Sequence, residues 1–339
     1  MEEVGSIVMP EDYDDATRAK LAELEERAKQ HVQGKRPKNT TDGYEQDWRD
    51  WQRFAYAWNL PLTAITPGSL VAFVEWLWLQ PGQKDGSFLA PNTIRRRLSG
   101  VVVTGRQRFR LDLNDKTAEA ARELLRRKIK EMEEAGEQRG RGQAPALLIP
   151  HLQAISAACP DDLEGLRDRA MILTHFVIAG REHEVAALRV RDIVADEHGL
   201  VVDIRVSKTR PRKVPVPYGS RPSTCAVRAW AAWQQARQAG PDEYAFCGVH
   251  WKAKTLLPGG LTAEGVGDVV TRAGNRTNLG IVFTGHSPRR GLATEAKRAG
   301  RDRSVIAKQG GWAPNSVSME GYFEDADQWE DNALIGIGL

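Results

Sequence analysis

The chain has 339 residues, 41 % of them hydrophobic, with 48 Lys and Arg against 45 Asp and Glu and a formal net charge of +3. That length exceeds one comfortable core, so two domains are expected, and the lack of an apolar run of about 18 residues predicts no membrane-spanning helix. The acidic opening (Glu2, Glu3, Glu11, Asp12, Asp14, Asp15) lacks the basic-then-apolar order of a secretory leader, and Cys159, Cys225 and Cys247 show no metal-ligand spacing, so a reduced, cytoplasmic protein without a metal is expected.

Residues 1–39 read as a polar, flexible arm with one helix over 16–30. Thr40 or Thr41 is a fitting cap for a helix whose stripe of Trp48, Trp51, Phe54, Ala55 and Trp58 has helical spacing and reads as core. Asn59 and Pro61 end it, and Pro67 with Ser69 opens a second helix with Leu70, Phe73, Val74, Leu77 and Trp78 inward. Pro91 opens a third, interrupted at Gly105, and a fourth runs over 117–134 with Leu124, Leu125, Ile129 and Met132 on its apolar side. Residues 40–134 thus form an all-helical domain, and the Gly-rich stretch 135–146 is a linker.

The third helix carries six arginines (Arg95, Arg96, Arg97, Arg106, Arg108 and Arg110) and no acid between residues 92 and 110. Single-sign clustering of this kind is the footprint of a nucleic-acid partner, because each phosphate contact releases bound counterions. Arg139 and Arg141 of the linker suit a segment lying beside a phosphate backbone. We therefore take these eight arginines as candidate DNA contacts.

The second domain, 147–339, alternates helical patterns over 149–158, 163–178 and 183–188 with a β-hairpin whose strands cover 200–206 and 213–217 and whose turn lies beside Lys208. Helices resume over 224–239, 262–273, 288–299 and 304–309, and an apolar tail follows at 329–339. In Gly285-His286-Ser287-Pro288-Arg289, Ser287 and Pro288 are good helix-opening residues. His286 and Arg289 then sit at the positive end of a helix, where an anion is favoured. Arg181 and Glu184, three residues apart, share a helical face, and Glu184 is placed to hold a neighbouring cation or imidazole. Gly310-Gly311-Trp312 is followed by Tyr322.

The succession Arg181, Glu184, Lys208 in a hairpin turn, His286-x-x-Arg289, Trp312 and Tyr322 resembles the signature of the tyrosine recombinase (phage integrase) family, and most of all its Cre-like branch. The resemblance covers residues 41–339 and is strongest over the final sixty. It implies a mainly α fold: a helical N-terminal DNA-binding domain and a mostly α catalytic domain with a small antiparallel β-sheet. It implies a DNA strand transferase needing no cofactor, with Tyr322 as nucleophile, Arg181 and Arg289 clamping the scissile phosphate, and Trp312 donating its indole N–H to that phosphate. His286 takes the phenol proton and Lys208 protonates the leaving 5′ oxygen. The help is needed because a tyrosine phenol, titrating near ~10, is a poor nucleophile at neutral pH. The resemblance also implies double-stranded DNA with an inverted-repeat site as partner, a monomer in solution, and a homotetramer on synapsed DNA linked by the tail. The alternatives sharing this chemistry are a type IB topoisomerase and a telomere resolvase; a DNA-binding relative that no longer cuts is the non-enzymatic one.

Overall fold

The computed structural model describes residues 10, 13–33, 38–82, 86–250, 252–313, 316–327 and 334, with the side chains of 29–33, 38–41 and 324–327 excepted. The chain divides into two compact units, Met1–Gly142 and Gln143–Leu339, with the boundary inside the stretch read as a linker. Among the described residues no helix is long and apolar enough to cross a membrane.

The first unit is helical: α1 (Asp15–Gln33), α2 (Lys38–Ala57), α3 (Pro67–Trp78), α4 (Pro91–Arg108) and α5 (Glu119–Glu134). The expected stripe of α2 packs inward through Trp48, Trp51, Phe54 and Ala55, but Trp58 lies beyond the helix end and is 53 % exposed. Thr66 caps α3, accepting a hydrogen bond from the Ser69 N–H while Ser69 Oγ accepts one from the Thr66 N–H. Gly105 does not interrupt α4. The helix runs straight through it, and a Cβ there would lie 2.7 Å from Ile65 and 2.9 Å from Leu113, so the glycine serves a close approach.

The second unit has α6 (Ile149–Ala158), α7 (Leu163–Val177) and α8 (Glu182–Ala187), then β1 (Ile193–Asp196), β2 (Gly199–Ile204) and β3 (Arg212–Pro217). After the sheet come α9 (Ala226–Arg237), α10 (Ala263–Asn275), α11 (Ser287–Arg298), α12 (Arg303–Gly310) and α13 (Val317–Asp327). The sheet is antiparallel in the order β1-β2-β3. Register pairs Val202 with both Ile193 and Val214, and Leu200 with Val216, which lines one face with buried aliphatics. β1 was not foreseen: it has four residues and exposes three of them, too short a run to show an alternation signal. Helix α7 is buried from Ala170 to Phe176 and forms the centre of the core with Trp230 and Trp233 of α9. A smaller cluster of Ala179, Ala293, Ile306, Ala307, Trp312, Met319 and Phe323 seats α13 on α11 and α12. The expected exchange of a C-terminal tail falls on 329–339, which apart from Leu334 lies outside the described residues.

Candidate active site

Helix α7 ends in a two-bond turn that sets the site. The Gly180 N–H donates to the His175 carbonyl (3.1 Å) and the Ala179 N–H to the Phe176 carbonyl (2.9 Å), with Ala179 in the left-handed region at φ 44°. Alanine there costs about 1 kcal/mol relative to glycine. The fully buried His175 places Nε2 3.1 Å from the Gly180 carbonyl. Burial, joined by the charges of His286 and Arg289, pushes its imidazole down to about 4 against the opposing Gly180 contact.

The turn delivers Arg181 as the residue capping α8, with Glu184 one turn on. Glu184 reaches back: Oε2 accepts from the Arg181 N–H (3.0 Å) and Oε1 from Arg181 Nη1 (2.8 Å). Arg212, at the start of β3, donates to both oxygens of the same carboxylate (3.2 and 2.9 Å), to the Ile178 carbonyl (3.3 Å) and to the Gln309 carbonyl (3.1 Å). Burial alone drives the Glu184 carboxyl up; the Arg212, Arg181 and Ser207 donors outweigh it and hold the group at about 2. Arg212 was missed in the sequence because its partner lies 28 residues away and only the hairpin brings the two together.

Arg289 is buried at 3 % exposure. Its Nη1 donates to the Gly310 carbonyl (2.8 Å) and to that of Ala179, so the strained turn helps aim it. Its guanidinium lies 3.8 Å from the centre of the Trp312 ring, a cation–π contact in a dry setting. Burial, and then the neighbouring charge of Arg181, push the Arg289 guanidinium down to about 9, still charged at neutral pH. The Trp312 and Tyr322 rings meet edge-to-face at 6.1 Å, and the Thr294 hydroxyl donates to the Tyr322 carbonyl (3.2 Å), pinning α13 to α11.

The structure thus brings together Arg181, Glu184, Arg289, Trp312 and Tyr322, which span the second unit in sequence. His286 is exposed and caps α11 itself, one residue earlier than expected, with Ser287 and Pro288 inside the helix. It lies within electrostatic reach of Glu182 and His175. Lys208 is exposed on the turn joining β2 to β3, near enough to His183 to depress that imidazole, although burial is the larger cause. Among the described residues no cluster of His, Cys, Asp or Glu is placed to hold a metal.

The arginine-rich helix differs from expectation in two places. Arg97 Nε lies 2.8 Å from the fully buried Asp50, with its own side chain 14 % exposed, so it stabilises the α2–α4 packing and leaves the set of DNA candidates. Arg139 likewise faces inward: its side chain is 5 % exposed, its guanidinium lies 3.9 Å from the Trp78 ring centre, and Nη1 donates to the Trp78 carbonyl. Arg96 pairs with Asp47 at 2.7 Å and Arg106 with Asp115 at 3.1 Å, both half-exposed, while Arg95, Arg108, Arg110 and Arg141 are exposed. The cause is one that a linear scan cannot see: Asp47 and Asp50 come to Arg96 and Arg97 from α2, and Trp78 comes to Arg139 from α3.

Residues 149–328 match the model of the phage integrase family. This chain belongs to that family. Its members are the tyrosine recombinases, enzymes that cut and rejoin DNA. This phage integrase family chain is 26 % identical over 321 residues to an integrase/recombinase XerD homolog of Selenomonas ruminantium, covering 91 % of this chain and 88 % of that one. Its fold is similar to the integrase of transposon Tn1549 in complex with transposon right end DNA, with a TM-score of 0.62 at 14 % identity over 90 % of this chain and 96 % of that one. It is also similar to a lambda integrase tetramer bound to a Holliday junction, with a TM-score of 0.52 at 14 % identity over 86 % and 77 % of the two chains. These matches speak for the family and not for its Cre-like branch.

Proposed function

We propose that this member of the family is a site-specific recombinase that breaks and rejoins DNA strands through Tyr322. The observation that carries the reading is a surplus of positive charge around a phenol. The ion pairs of Arg181 and Arg212 run to one carboxylate, Glu184, Arg289 donates only to main-chain carbonyls among the described residues, and Tyr322 meets the ring that supports Arg289 edge-to-face. Buried guanidiniums in excess of their carboxylates call for an anion, and fixed cations are worth most where charge develops in a transition state.

In this reading Arg181 and Arg289 clamp the non-bridging oxygens of a scissile phosphate, with the Trp312 indole N–H as a further donor. The Tyr322 oxygen attacks phosphorus and its proton passes to His286. The P–O5′ bond breaks and the leaving oxygen takes a proton from the Lys208 ammonium. A 3′-phosphotyrosyl link and a free 5′ hydroxyl result. A second 5′ hydroxyl then attacks the link, giving its proton to neutral Lys208, while the released phenolate recovers one from His286. Bond energy is conserved, so no cofactor is required. Lambda integrase has been captured as a tetramer on a Holliday junction; we extend that assembly, on an inverted-repeat duplex, to this chain, acting in the cytoplasm where the DNA lies. The exposed Arg95, Arg108, Arg110 and Arg141, with Arg96 and Arg106, are the proposed DNA contacts.

The test begins with a pool of nicked duplexes carrying randomised arms. DNA held covalently by the wild-type protein in detergent is recovered and sequenced, which also yields the site. The wild-type protein is expected to form adducts on a sequence with inverted symmetry, and Tyr322→Phe to bind that sequence without forming them. Adducts surviving in Tyr322→Phe overturn the nucleophile.

A further inference from the structure

We propose that Ser207 and Thr209 are positioning residues that hold Lys208 over the phosphate pocket by two hydroxyl pins. The inference rests on the reading of Lys208 as the proton donor and goes beyond it by naming what aims the donor.

The segment joining β2 to β3 has little else to fix it. Arg205, Val206, Lys208, Thr209 and Arg210 are all exposed, with Val206 at 56 %, so packing does not set its course. Arg205 at its start pairs with Asp192 and Asp203 at 3.1 Å, and beyond Arg205 the anchorage comes from the two residues flanking the lysine. Ser207 Oγ donates to Glu184 Oε1 at 2.8 Å. Thr209 Oγ1 donates to the Gly311 carbonyl at 3.3 Å. Ser207 Oγ also accepts from the Thr209 N–H at 3.4 Å, which ties the pins to each other across the lysine.

The far ends of the pins are parts of the clamp. Glu184 is the carboxylate that Arg181 and Arg212 grip, and Gly311 stands between Gly310, whose carbonyl receives Arg289, and Trp312, whose ring supports it. The turn is thus referenced to both guanidiniums that would hold the phosphate. A lysine on an unpinned turn would sample solvent on its four-carbon stem, and positioning is a large part of what a general acid contributes.

The measurement uses the nicked duplex recovered above in two forms, one with the natural 5′ oxygen at the scissile bond and one with sulfur in that bridging position. With oxygen, Tyr322 O–P forms, P–O5′ breaks and the Lys208 Nζ proton goes to O5′. With sulfur, P–S breaks and the thiolate leaves without a proton. Ser207→Ala/Thr209→Val is expected to slow adduct formation on the oxygen duplex by about 10- to 100-fold, short of the full general-acid contribution, and to cleave the sulfur duplex within about threefold of wild type, the same selectivity that Lys208→Ala shows. Ser207→Thr/Thr209→Ser, which keeps both hydroxyls, should retain wild-type behaviour on both. Equal slowing on the two duplexes overturns the proposal, since the hydroxyls then serve the clamp and not the donor; no slowing on either overturns it as well. If Lys208→Ala is not rescued by sulfur, the fault lies in the role given to Lys208 itself, and the two failures are told apart.

Discussion

On α4 the guanidiniums of Arg96 and Arg97 lie 2.7 and 2.8 Å from Asp47 and Asp50 of α2, while Arg181 and Arg212 converge on the single carboxylate of Glu184 and Arg289 turns to backbone carbonyls. The first cluster is dense in the sequence, and half of it, Arg96, Arg97 and Arg106, is paired with acids in space. The second is scattered across more than a hundred residues and carries a surplus. Density of charge along a chain therefore measures neither field nor function; what counts is the balance after every helix has contributed its partners. Burial pushes the Asp47 carboxyl up to about 6 in spite of Arg96 and Arg97, which shows what such neutralisation costs in the first unit.

The sharpest way to break this contrast is to delete one arginine from each side. Arg289→Ala, or Arg181→Ala, is expected to reduce the rate of adduct formation by roughly 10²–10³ or more with the second unit still folded, the scale for losing one fixed donor to developing charge. A loss no larger than tenfold in single-turnover assays would mean that the surplus is not aimed at a phosphate. Arg97→Ala should do the opposite, leaving cleavage chemistry alone and lowering the stability of the first unit by about 2 kcal/mol, since it leaves the fully buried Asp50 with Arg53 as its one remaining guanidinium partner among the described residues. Urea unfolding with no shift in midpoint would return Arg97 to the DNA candidates.

The contrast extends to acid. His175 is held near 4 against an ordinary 6.5, so its neutral form favours the fold: its contribution is present above 6.5 and is lost as pH falls towards 4. Glu184, held near 2, contributes fully above 4.5 and loses that contribution only below it. Stability of the second unit should therefore fall in two limbs on acidification, the upper one worth about 3 kcal/mol. His175→Gln, which cannot titrate, should flatten that limb in melts from pH 7 to 4 and leave the lower one. Smaller still, replacing Arg95, Arg108 and Arg110 together by Gln should reduce the salt slope of DNA binding by up to about one unit per lost phosphate contact. An unchanged slope would remove the exposed end of the cluster too.

Much of the site was legible because its chemistry sits on local signals. Pro288 marks a helix start that places His286 and Arg289, and the two strands around Lys208 alternate cleanly. The helix around Tyr322 was not foreseen, since Gly321 and a run of acids weaken its pattern and its hold on the core comes from Met319 and Phe323 alone among its buried side chains. Arg212 and the inward turns of Arg97 and Arg139 were hidden for a common reason: each depends on a partner brought close by tertiary folding, and a stack such as Arg139 on Trp78 spans 61 residues.

Gly310 carries a consequence out of scale with its size. A methyl group there would come within 2.0 Å of the Trp312 ring, so the indole rests on bare main chain. The aromatic floor under Arg289 is therefore levelled by a hydrogen atom, and the seat of a buried guanidinium is governed by a residue that has no side chain to offer it.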